Sequence, residues 1–169
     1  MKYTSSEAGK VVNKLNNEIS IINSLEYQSR SFTATLEENI ESVRPAYDYS
    51  ETQKRLAELE AQVRKVKHTI NMFNLTHTVP GFDMTVDQAL IYIPQLAAKI
   101  QKLEDMSKRL PIIRERSGMG ANNIIVEYNY ANYDVEQAAL DCARAKDELA
   151  RLHLALDLLN STETLEIEL

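Results

Sequence analysis

The 169 residues amount to about one domain, and with 44% of them apolar the chain can bury a core that a disordered tail could not. Its 19 Lys and Arg against 25 Asp and Glu leave a net charge of -6, which excludes a general nucleic-acid binder, since phosphate contacts need surplus cations. Four glycines and four prolines are too few for a turn-rich sandwich or barrel and favour long helices.

Cys142, the sole cysteine, has no partner for an internal disulfide. No apolar run approaches the roughly 20 residues of a membrane span, and Met1 to Glu7 lead into a polar helical pattern without the apolar stretch of a signal peptide. The expectation is a cytoplasmic protein, not associated with a membrane, whose residues 1–169 form a single helical domain.

Val12, Leu15, Ile19 and Ile22 recur at helical spacing and predict a helix from about residue 5 to about 29, with Ser5 and Ser6 able to cap its first turn. Ser31 to Leu36 alternates polar with larger side chains and is rich in Thr, which predicts a short strand near 31–36. Glu37 to Glu41 form an acidic connector, and Pro45 disfavours helix at Arg44. Leu56, Leu59, Val63, Val66, Ile70 and Phe73 then alternate spacings of three and four, an a/d seam on a second helix that starts near Tyr49 to Glu51. Thr76 to Gly81 reads as a turn.

A third helix opens at Thr85, where Thr85-Val86-Asp87-Gln88 has the form of a capping box. Leu90, Ile93, Leu96, Ile100, Leu103 and Leu110 supply its predicted apolar face, and Pro94 in its interior predicts a bend near Leu90. Pro111 ends it. Arg114 to Gly120 is the most loop-like stretch, and the β-branched and aromatic run from Asn123 to Tyr130 predicts a strand near 123–130. Asp134-Val135-Glu136-Gln137 repeats the capping-box pattern, after which Ala138, Cys142, Ala145, Leu149, Leu152, Leu156 and Leu159 form the seam of a fourth helix to about Asn160. The predicted fold is mainly α: an antiparallel helical bundle or long coiled-coil hairpin of about four helices with one or two short strands. Narrow seams on long helices leave little intramolecular core per residue, so a homo-oligomer is expected.

Several longer stretches carry a family resemblance. They are Glu41 to Tyr49, Lys67 to Asn74, Pro80 to Asp87, Tyr92 to Leu96, Asn122 to Ile125, Tyr130 to Asp134 and Leu156 to Thr164. Together they resemble the septicolysin-like family of small uncharacterised bacterial α-helical proteins, over most of the chain beyond about residue 35. The resemblance implies a helical, oligomeric protein and supplies no activity. No segment has the length or the basic amphipathic character of a membrane-inserting helix, so the cytolysin in the family's name has no counterpart here.

Catalytic and metal constellations fail on spacing. A di-metal carboxylate bundle needs a Glu three residues before a His, and that position before His68, His77 and His153 is held by Lys65, Asn74 and Ala150. Cys142 falls on an apolar seam, the place of a buried core thiol. Ser117 lacks a nucleophile-elbow context, and Glu37, Glu38 and Glu41 lack the apolar surroundings that raise a carboxyl pKa. No catalytic residue, metal or cofactor is expected.

One segment stands out. Lys99, Lys102, Lys108, Arg109, Arg114 and Arg116 give the 99–126 region an excess of three positive charges, whereas from Glu127 onward ten acids face three bases. Arg114 and Arg116 flank Gly118-Met119-Gly120, whose backbone N–H groups suit an anion, and Tyr128, Tyr130 and Tyr133 offer stacking faces. Two readings follow. The first is a non-catalytic, self-associating helical binding or scaffolding protein, its assembly steered by the complementary charge of the basic segment and the acidic fourth helix. The second is a small-ligand binder that takes a phosphorylated nucleotide or similar anion on Arg114, Arg116, Gly118, Gly120, Tyr128 and Tyr130.

Overall fold

The computed structural model describes residues 1–116 and 126–167, with only the backbone described at Glu115, Arg116 and Val126. Five helices and four short strands among them make a mainly α fold. The chain forms two compact units, one of Met1–His77 with Leu158–Leu169, the other of Thr78–Asp157.

In the first unit β1 (Lys2–Thr4) leads into α1 (Ser5–Ser29). Thr4 caps that helix: its side chain accepts from the Glu7 N–H at 3.2 Å, and the Glu7 carboxylate accepts from the Thr4 N–H at 2.9 Å. The cap is therefore Thr4 rather than the Ser5-Ser6 pair. A single turn, α2 (Ile40–Val43), is capped by Asn39, and Arg44 after it is extended, as a residue before proline must be. Asp48 then caps the long helix α3 (Tyr49–Thr76). α1 and α3 run antiparallel, with Arg55 on Glu18 and Gln53 on Glu26. Ala8, Val12 and Leu15 of α1 and Leu56, Leu59, Val63, Val66 and Phe73 of α3 are buried, which accounts for the predicted seam.

The strand predicted near 31–36 does not form. Propensity alone holds no strand without a partner for its ladder, and the local polar groups close a turn instead: the Thr35 N–H donates to the Glu38 carboxylate at 2.8 Å and the Glu38 N–H to the Thr35 carbonyl at 3.2 Å. Leu36 is left fully exposed. An unpredicted sheet joins the ends of this unit, where β1 pairs antiparallel with β4 (Thr164–Glu166) and sets Tyr3 opposite Leu165. Leu165 and Ile167 are buried there.

The second unit begins with a tight turn. Pro80 and Gly81 occupy its centre, Gly81 with φ 79°, a left-handed conformation that a side chain would strain, and the Phe82 N–H donates to the Val79 carbonyl at 3.1 Å. Thr85 and Gln88 form the predicted capping box of α4 (Val86–Ser107), which continues through Pro94. β2 (Ile112–Arg116) and β3 (Val126–Tyr130) pair as an antiparallel arm, so Arg114 to Arg116 belong to a strand rather than to the expected loop; Ile112 and Ile113 supply β-branched partners for Tyr130 and Asn129. The described part of the strand expected near 123–130 is β3 from Val126, and residues 123–125 lie outside the described residues.

α5 (Val135–Thr162) starts at Asp134, whose carboxylate accepts from the Gln137 N–H at 3.0 Å. Within this unit it runs antiparallel to α4: Tyr92 O–H donates to Glu148 at 2.9 Å, Cys142 Sγ lies 3.9 Å from the Ile100 carbonyl, and Lys146 pairs with Glu104. That pair holds the Glu104 carboxyl below its ordinary value and the Lys146 ammonium above it. The buried face of α4 is Val86, Ala89 and Leu96, with Ile93 and Ile100 half-buried, so Leu90 and Leu110 of the predicted face are exposed instead. A helix face is fixed by what covers it, and Ala89 rather than Leu90 faces the covering side.

Candidate functional site

The register of the β2–β3 arm decides which candidate residues meet. Arg114 stands opposite Tyr128 and Ile112 opposite Tyr130, so all four share one face of the arm. The Tyr128 and Tyr130 rings lie 6.5 Å apart at 47°, and these residues are exposed. Arg116 falls at the same-face position opposite Val126, its side chain outside the described residues, as are Gly118 and Gly120 altogether. Tyr133 is separated from this face, for its O–H donates to the Met106 carbonyl at 2.9 Å. On the other face Arg109 donates to Asn129. The arm thus assembles one arginine and two tyrosines of the predicted set.

A second constellation lies in the first unit, where the end of α1 meets the start of α3. Tyr47 O–H donates to Glu26 Oε1 at 2.6 Å, and Gln53 Nε2 donates to the same oxygen at 2.7 Å. The bond to Glu26, together with burial and the carboxylate's charge, pushes the Tyr47 phenol up to about 12 and keeps it a donor. A cavity of about 390 Å³ opens beside this network, with Ile22, Leu25 and Ala46 as apolar lining and Glu26, Asp48, Glu51 and Arg55 as charged lining. Nothing in the sequence pattern announced it, because its residues come from three segments and none has an unusual local spacing.

The third feature is the outer side of α5. Its buried seam consists of Ala138, Cys142, Ala145, Leu152, Leu156 and Leu159. Leu140, Ala143, Asp147, Ala150 and Leu154 form a second stripe at the same alternation of three and four, and every one except the central aspartate is apolar and exposed. Leu140 and Leu154 are 56% and 70% exposed, far more than a core leucine. A shallow surface groove runs along it between Arg144, Asp147, Ala150, Arg151 and Leu154. This stripe was legible in the sequence as a second three-four repeat, hidden by the stronger seam beside it.

Cys142 is buried, as its seam position implied. His68 and His153 are exposed, and His77 stacks on Phe73 with ring centroids 3.9 Å apart, its Nδ1 lying 3.0 Å from the Phe73 carbonyl at the end of α3. Among the described residues no group of three or more His, Cys, Asp or Glu side chains gathers as metal ligands, and no helix is long and apolar enough to cross a membrane.

No protein-family model matches the chain, and no curated protein matches it. Among solved structures it is similar to a functionally unknown conserved protein from Corynebacterium diphtheriae, with a TM-score of 0.59 and 20% identity over 98% of this chain and 100% of the other. A likeness at that identity shows a shared fold and carries no activity with it.

Proposed function

We propose that the protein is a non-catalytic helical module that self-associates through the outer stripe of α5 and acts as a binding or scaffolding unit. The observation that carries this reading is the exposed stripe Leu140, Ala143, Asp147, Ala150 and Leu154. It reads nearly the same in both directions about Asp147. Two copies related by a two-fold axis near that residue would set Leu140 of one against Leu154 of the other, the self-complementary arrangement of a dimer. Ala143 and Ala150 between them permit close approach of the two helices. Asp147 and Arg151 have no ion-pair partner among the described residues, whereas Arg144 already pairs with Asp141 at 3.4 Å, so Arg151 supplies the counter-charge that a second copy's Asp147 requires. Sedimentation velocity over a concentration series tests this: the native chain is expected to form a dimer at micromolar concentration, and Leu140→Glu with Leu154→Glu to sediment as a helical monomer. A native monomer, or a variant still dimeric, would overturn it.

A second reading rests on the arm. Arg114 beside Tyr128 and Tyr130 on one face joins a guanidinium for phosphate to aromatic surfaces for a base. A thermal-shift screen against nucleotides checks it. A melting temperature raised by a nucleotide, and no longer raised in Arg114→Ala, supports the reading; no shift, or an equal shift in the variant, removes it.

A further inference from the structure

We infer that the cavity between the end of α1 and the start of α3 is a binding site for a small primary amine with a short hydrocarbon body. Its volume, about 390 Å³, falls within the range of small-molecule sites. Its lining sets the class of ligand. Ile22, Leu25 and Ala46 offer hydrocarbon surface, with Ile22 half-buried, while Asp48 and Glu51 are exposed and Glu26 is half-buried. Arg55 also lines the cavity, but its guanidinium is committed to Glu18 and Glu58. The lining therefore carries three carboxylates with no cation left to balance them.

An anion has no place here, although a helix N-terminus would ordinarily attract one. The Asp48 carboxylate itself occupies the N-terminus of α3, accepting from the Glu51 N–H at 3.0 Å, and its negative charge repels a second anion there. Glu26 is poised for a cation instead. Tyr47 and Gln53 both donate to Oε1, leaving Oε2 with no donor among the described residues. Two neutral donors hold the carboxylate in place without cancelling its charge, so an ammonium group with several N–H donors completes the set.

The test uses three probes of one shape, hexylamine, hexanol and hexanoate, titrated into the full chain and followed by amide NMR. Hexylamine is expected to shift the Ile22, Ala46 and Thr52 amides saturably, with half-saturation on the order of 1 mM as suits a ligand this small. Hexanol should bind about tenfold more weakly, the loss of one good ionic contact, and hexanoate should leave these amides unmoved. Glu51→Gln changes an exposed side chain with no ion-pair partner among the described residues, so the fold is retained; it should weaken hexylamine severalfold and leave hexanol unchanged. Equal responses to all three probes, no saturable shift with hexylamine, or unaltered hexylamine binding in Glu51→Gln would each overturn the assignment.

Discussion

The two faces of α5 carry the same spacing and meet opposite fates. Ala138, Cys142, Ala145, Leu149, Leu152 and Leu156 recur at three and four and are buried within the second unit, Leu149 only by half; Leu140, Ala143, Asp147, Ala150 and Leu154 recur at three and four and face solvent. Periodicity therefore identifies a helix face able to pack, and not what packs on it. The inner face is matched by α4, with Tyr92 on Glu148 and Cys142 beside the Ile100 carbonyl marking the antiparallel register. The outer face has apolar content without an intramolecular cover, and its centre is an aspartate between two arginines, a pattern that suits a copy of itself.

The difference can be broken by substitution, and the largest effect is expected inside. Leu152 is fully buried, so Leu152→Ala should cost about 2–5 kcal/mol in denaturant unfolding, from lost transfer energy and the cavity left behind. Leu154→Ala, two residues on, should change the stability of the monomer by no more than about 0.5 kcal/mol, while weakening dimerisation. If both substitutions cost the same at a concentration where the chain is monomeric, the two faces are not distinct.

Helix caps come next in size. Thr85→Ala removes the hydroxyl that accepts from the Gln88 N–H and leaves only the bond from the backbone N–H of residue 85 to the Gln88 side chain, for an expected loss of about 1 kcal/mol. Asp134→Ala at the start of α5 should cost a similar amount by the same loss. Both act on folding rather than on assembly, so equal changes in unfolding with no change in sedimentation would sharpen the separation between the inner and outer faces.

The smallest effect is expected at Tyr47, away from both faces. Its phenol is raised from 10.0 to about 12, chiefly by the bond to Glu26. Because the folded value lies above the unfolded one, the stability this bond contributes is fully present below pH 10 and is lost as the pH rises from 10 to about 12. A phenolate absorbance titration should show one of the eight tyrosines ionising near pH 12, and that step should be absent in Tyr47→Phe. Tyr92, raised in the same direction by its bond to Glu148, should also ionise late.

How much of this was legible in the sequence depends on whether the deciding contact is local. Helices α1, α3, α4 and α5 were, because each carries an apolar stripe that needs no knowledge of its partner, and α4 and α5 open on a legible cap as well: Thr85 and Gln88 announce α4 as clearly in the sequence as in the structure. The β1–β4 sheet was not, since Lys2–Thr4 and Thr164–Glu166 are three residues each and are strands only because each finds the other. Ser31 to Leu36 erred the opposite way, with strand composition and no partner. Leu90 was assigned inward on spacing alone, although Ala89, smaller and less apolar, is the residue covered. For the ligand site, the Arg114–Tyr128 juxtaposition followed from a strand pairing that composition suggested only on one side. The Tyr47, Glu26 and Gln53 network joins residues 21 and 27 positions apart, a distance at which a sequence pattern holds no signal.

The most direct measurement of the central claim is a disulfide trap across the proposed two-fold axis. With Cys142→Ser as background, Leu140→Cys and Leu154→Cys are made as separate proteins and oxidised alone and mixed. In an antiparallel pair each position faces the other, while like positions lie about 21 Å apart along the helices, far beyond the roughly 7 Å limit for a disulfide. The mixture is therefore expected to form the mixed disulfide readily, and either protein alone to form little. Equal cross-linking in the separate proteins and the mixture, or none in any of them, would contradict self-association through the outer face of α5.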